Sequence, residues 1–172
     1  MEHYLFEEHR HNYAVWTAAR AVSRNFTSTD LVKAAIENSR LVEFVTSTDN
    51  PSQEQFNLLH KTWSDRIISS LTAANVKNVS YGRAAKIIAI YLKTAVIMGS
   101  AAKCEKSKVI HPPIDAILLR NILASFPAMT YLRKVRWTQL DETSYWELAS
   151  RLKQDLKRFD WKLEYYWNPG KE

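Results

Sequence analysis

Lys86 and Asp115 are the two residues whose types and settings could do chemistry together. Lys86 lies in Ser80-Tyr-Gly-Arg-Ala-Ala-Lys-Ile-Ile-Ala-Ile-Tyr-Leu-Lys93, a stretch otherwise too apolar to face water. An amine on such a helix is partly desolvated, which lowers its pKa and raises its neutral, nucleophilic fraction. Asp115 follows His111-Pro112-Pro113, a break that stops one helix and opens the next. A carboxylate there sits at a helix N-terminus, where the macrodipole favours its charge. One side chain can attack while the other stabilises positive charge. The same residues also read structurally, with Lys86 snorkelling to solvent and Asp115 capping its helix. Their spacing of 29 positions does not choose between the two.

The net charge of +6 is unevenly placed. Lys77, Arg83, Lys86, Lys93, Lys103, Lys106 and Lys108 face only Glu105 within one 32-residue window; of 24 basic and 18 acidic residues in all, this leaves 17 of each elsewhere. Such a concentration is the footprint expected for a polyanion partner, because Lys and Arg contacts to phosphates supply most non-specific nucleic-acid affinity. A solvated helix face followed by a basic loop would produce the same count. Trp137, close behind Arg133, Lys134 and Arg136, is placed to stack on an unpaired base, or else to anchor helix packing.

Other chemistries find little support. There is no Gly-x-Ser-x-Gly elbow, no phosphate-binding Gly-rich loop and no dinucleotide fingerprint. His9 and His11 beside Glu7 and Glu8 lack the i, i+4 spacing of a helical zinc site, so no metal and no cofactor is expected. The single cysteine, Cys104, excludes an internal disulfide and fits a reducing cytoplasm, although its lysine neighbours could also activate it. The N-terminal residues show no basic segment followed by an apolar run, and no stretch reaches the roughly 18 apolar residues of a membrane span. A cytoplasmic protein without a membrane contact is the expectation.

Helices must position these groups. Only three glycines and five prolines leave little punctuation for an all-β fold, while 46% apolar residues can fill one sizeable core. Periodicity and caps predict helices over about 8–24, 30–45, 53–74, 81–98 and 142–157, with a further helix, the fifth in order, opening at Ile114-Asp115. The third carries Phe56, Leu59, Trp63, Ile67 and Leu71 at helical spacing. In the fourth, apolar residues cover more than half the circumference, and Arg83, Lys86 and Lys93 form a stripe interrupted by Ile90 and Ile97. That helix is expected at the centre of the fold, its basic stripe lining a cleft or a partner surface. Phe159, Trp161, Leu163, Tyr165 and Trp167 alternate with polar residues, a period of two that predicts an extended aromatic arm against the helices, with a last helix as the other reading. The expected architecture for residues 1–172 is a single-domain, all-α orthogonal bundle of about six helices with that C-terminal arm.

A turn containing Gly82 that opens a lysine-bearing helix, followed by an aspartate at the start of the next helix, resembles the helix-hairpin-helix DNA glycosylases, in particular the 8-oxoguanine DNA glycosylase fold. The likeness spans about residues 60–167. The family hairpin usually reads Gly-x-Gly with its lysine two residues on, whereas here one glycine precedes Lys86 by four. Tyr-Gly-Arg-Ala-Ala-Lys, Pro-Pro-Ile-Asp and Arg-Trp-Thr-Gln-Leu-Asp also resemble a pattern in uncharacterised bacterial proteins, some described by this glycosylase fold. The resemblance implies that Lys86 attacks the sugar C1′ of a flipped, damaged nucleotide to give a Schiff base, that Asp115 assists, and that the backbone from Val79 to Gly82 approaches DNA phosphates. The partner expected is nucleic acid, DNA before RNA, held by Gly82, Arg83, Lys93, Lys103, Lys106, Lys108 and Trp137. The rival expectation is a non-catalytic, defence-associated interaction module that docks a partner protein, or a second copy of itself, through the aromatic arm.

Overall fold

The computed structural model describes residues 5–22, 25–98 and 104–168. Seven α-helices follow the predicted order: α1 Phe6–Ala21, α2 Thr29–Ser39, α3 Leu41–Thr46, α4 Gln53–Ala73, α5 Tyr81–Leu92, α6 Ala116–Ser125 and α7 Glu142–Leu156. Short 3-10 turns at Glu105–Val109, Thr130–Lys134, Trp137–Gln139 and Trp161–Tyr166 complete a single all-α domain, with no strand among the described residues. Hydroxyls and carboxylates start the helices as the sequence suggests. Ser28, Ser80, Asp115 and Asp141 each accept a backbone N–H three residues on, and Ser52 forms a reciprocal capping box with Gln55.

Four local features differ from expectation. The second predicted helix is cut in two at Arg40, which adopts φ 68° while the Ser39 hydroxyl accepts from Leu41 N. No glycine marks this left-handed position, so the hydrophobic period runs through it unbroken. The end of the fourth predicted helix widens into a π-helical turn, Lys93–Ile97. On α4 the buried row is Phe56, His60, Trp63, Ile67 and Leu71, and Leu59 is 37% exposed. Both fit a helical period, and a histidine is simply not counted as apolar. Finally, the tail is not an extended arm: Asp160 caps the turn Trp161–Tyr166. Its real period is three, so Leu163 and Tyr166 pack inward while Tyr165, in register for a strand's buried face, is 89% exposed.

Helix α5 is central, as its composition requires. Ala84, Ile87, Ile88, Tyr91 and Leu92 belong to a core built with α1, α2 and α4, whereas Tyr81 and Ala85 belong to a second core built with α6, α7 and the tail. An aromatic seam joins the two. His60 lies 6.2 Å from the Phe56 ring in the first core and stacks 5.3 Å from Tyr145 in the second, and His111 lies 4.7 Å from His60. Tyr81 and Tyr145 offer their hydroxyls to His60 Nδ1 and His111 Nδ1 at 3.2 and 3.1 Å.

Burial keeps both imidazoles neutral, lowering His60 to about 3 and His111 well below its ordinary value. On unfolding, each ring recovers a pKa near 6.5 and binds a proton that the folded seam refuses. The unfolded chain then binds more protons, so stability is lost as pH falls below about 6.5. Each histidine contributes a slope of about 1.4 kcal/mol per pH unit. Urea melts between pH 6.5 and 5, above most carboxylate titration, should show midpoints falling with pH. Constant midpoints across that window would show that the rings are not sealed from water.

Candidate active site

The site forms where three segments remote in sequence meet the first turns of α5. The Ser80 hydroxyl donates to Thr138 O at 2.8 Å, and Gly82 N donates to Leu140 O at 2.9 Å. These bonds pin the Trp137–Gln139 turn onto the helix. The approach is so close that a Cβ on Gly82 would stand 1.9 Å from Trp137 O. Gly82 is therefore required by contact, and its N–H donates to Leu140 O. With the turn fixed, the Trp137 ring lies 4.8 Å from Lys86 Nζ, a cation–π contact.

Lys86 Nζ donates to Asp115 Oδ2 at 2.6 Å, with side chains only 6% and 14% exposed. Asp115 uses both oxygens. Oδ1 accepts Leu118 N at 2.8 Å as the cap of α6, and Oδ2 also accepts Trp167 Nε1 at 3.0 Å. Burial pulls the Lys86 amine below its ordinary range, and the Asp115 carboxylate opposes that shift. The amine is thus held by a carboxylate whose two oxygens are both engaged. The tail closes over it. Lys93 pairs with Glu164 and lies 5.9 Å from the Trp167 ring, while Asn121 Nδ2 donates to Tyr166 O at 2.9 Å.

The other expected contributors are engaged elsewhere. Arg83 donates to Val22 O at 2.8 Å and lies over the Phe26 ring. Lys106, expected on an open basic loop, is buried, and its amine donates to Phe44 O at 2.6 Å and to Ser47 O, where it neutralises the carbonyl end of α3. Lys108 forms an exposed ion pair with Glu105. Lys103 lies outside the described residues. Four of the seven cations in the basic window, Arg83, Lys86, Lys93 and Lys106, are therefore engaged within the fold, because an excess of lysine in sequence says nothing about the carbonyls and carboxylates that fold back onto it.

Trp167, Glu164 and Asn121 escape sequence reasoning, since each reaches the site through folding across tens of residues. His11 bonds to the Tyr91 hydroxyl and to Glu37, and among the described residues no three His, Cys, Asp or Glu side chains are grouped to hold a metal ion. No helix among the described residues is long and apolar enough to cross a membrane. Compared with known proteins, the chain matches no protein-family model, no curated protein and no solved structure, so the reading of this site rests on its geometry.

Proposed function

We propose that the protein acts on damaged DNA as a glycosylase-like enzyme, with Lys86 as nucleophile and Asp115 as its assisting carboxylate. The observation that carries this reading is the 2.6 Å Lys86–Asp115 contact, buried and flanked by two tryptophans. Asp115 can accept the ammonium proton as water is excluded, which frees the Nζ lone pair. The amine then forms a bond to C1′ as the glycosidic C–N bond breaks, and the departing base takes that electron pair and the proton held by Asp115, which is ionised again; the nitrogen lone pair then expels the ring oxygen, which takes the proton the nitrogen releases, and the sugar opens to a protonated imine. Positive charge developing at the sugar is stabilised by the fixed Asp115 oxygens. Trp167 covers the pair, so substrate entry requires its indole to leave Asp115. Trp137 supplies a second ring beside the amine.

Trapping tests this reading. Duplex DNA carrying an oxidised purine or an abasic site, incubated with the protein and borohydride, should yield a covalent adduct by reduction of the imine. Lys86→Gln should abolish it, and circular dichroism and a thermal melt establish whether that variant is folded. Absence of an adduct from the wild-type protein on every damaged substrate would overturn the enzyme reading. The 89% exposure of Tyr165 then favours the rival, a docking module that uses the tail.

A further inference from the structure

A cavity of about 430 Å³ lies among the start of α4, the loop carrying His111 and the far end of α7. This size lies within the range of roughly 300–1,000 Å³ typical of small-ligand sites. Trp146 and Phe159 contribute rings, and Gln53, Asn57 and His111 contribute polar groups. These polar groups are ordered. His111 Nε2 donates to Asn57 Oδ1 at 3.0 Å, and Gln53 Nε2 donates to the same oxygen at 3.0 Å and to Val109 O at 3.2 Å. Asn57 Nδ2 and Gln53 Oε1 remain, a donor and an acceptor with no hydrogen bond among the described residues.

The rim is cationic. Lys153, Lys157 and Arg158 line it and form no ion pair among the described residues, whereas Lys108 is matched by Glu105. Asp160 is the carboxylate lining the cavity, and it accepts Lys162 N as a cap. Four cations against Asp160 and Glu105 leave a formal excess of two positive charges. The carbonyl end of α7 offsets only about half a charge.

We propose that this cavity binds a nucleotide, with its base against Trp146 and Phe159, the base edge read by Asn57 and Gln53, and its phosphate held by Lys153, Lys157 and Arg158. Two positive charges match a terminal phosphate, either on a free mononucleotide or at the 5′ end of a strand. The cavity shares no residue with the Lys86–Asp115 site, so it stands independently of the glycosylase reading.

Calorimetric titration of the whole chain with 5′-mononucleotides, the matching nucleosides, inorganic phosphate, and short strands with and without a 5′-phosphate provides the test. At least one mononucleotide should saturate the site, with its nucleoside and inorganic phosphate each about tenfold weaker or more. The exposed double substitution Lys157→Ala/Arg158→Ala should weaken the nucleotide about tenfold and leave the nucleoside unchanged. Lys86→Gln should bind like the wild type. Saturation only by the 5′-phosphorylated strand, with the same loss in the double variant, assigns the site to strand ends and supports the proposal. No saturable binding at millimolar ligand, equal affinity for phosphate alone, or indifference to the double substitution would each overturn it.

Discussion

Asp115→Ala should lower the stability of the protein by about 3–5 kcal/mol, the range found when one partner of a buried ion pair is removed. The substitution leaves the Lys86 ammonium with a 6% exposed side chain and no carboxylate, and it removes the cap from Leu118 N. At about 2–4 °C per kcal/mol for a chain of this size, the melting temperature should fall by roughly 10 °C. Asp115→Asn keeps an oxygen for Leu118 N and should lose less. The double variant Lys86→Met/Asp115→Asn removes the stranded charge, and should recover most of the stability while giving no borohydride adduct. That contrast separates the two roles of the pair. If Asp115→Ala melts with the wild type, the amine reaches water without help and the site is more open than its geometry indicates.

Gly82→Ala should cost about 3 kcal/mol or more, at the upper end of overpacking penalties. Alanine is the better helix former by about 1 kcal/mol, so propensity alone predicts the opposite sign. The clash decides, because the new methyl would meet Trp137 O at 1.9 Å and Leu140 Cβ at 3.2 Å. A backbone carbonyl cannot swing aside like the end of a lysine. The 137–140 turn must shift instead, taking the Trp137 ring away from Lys86. Chemical denaturation should show the loss, and tryptophan fluorescence should report the moved indole. A variant as stable as the wild type would mean that the turn is loosely held, despite the bonds from Ser80 and Gly82.

The parts of this fold that were legible in the sequence are those fixed by neighbours in the chain. Ser80, Asp115 and Asp141 announce helix starts because a cap and its N–H lie three residues apart. The all-α class and the central position of α5 follow from the same local patterns. Lys86 and Asp115 could be named as a pair, but each needed the fold to meet. The basic window could not show where its cations go: the destinations of Arg83, Lys93 and Lys106, at Val22, Glu164 and the end of α3, lie 59 to 71 residues away, most of them at carbonyls that carry no sequence signature. The tail misled because alternating aromatics satisfy a strand's period over a few residues as readily as a capped 3-10 turn does. His60 was overlooked because burial of a neutral imidazole depends on Tyr81 and Tyr145, which belong to other elements.

The sharing of α5 between two cores bears on how the chain is made. The buried residues of the first core end at Ile110, and those of the second extend to Leu163. A nascent chain released to Ile110 therefore carries every buried residue of the first core and lacks only Trp161, which packs against it, while Tyr81 and Ala85 still lack α6, α7 and the tail. During that interval the Lys86 amine has no Asp115 and remains hydrated. Translation thus delivers the cation before its counter-ion, so the pair can close only when α6 docks on α5.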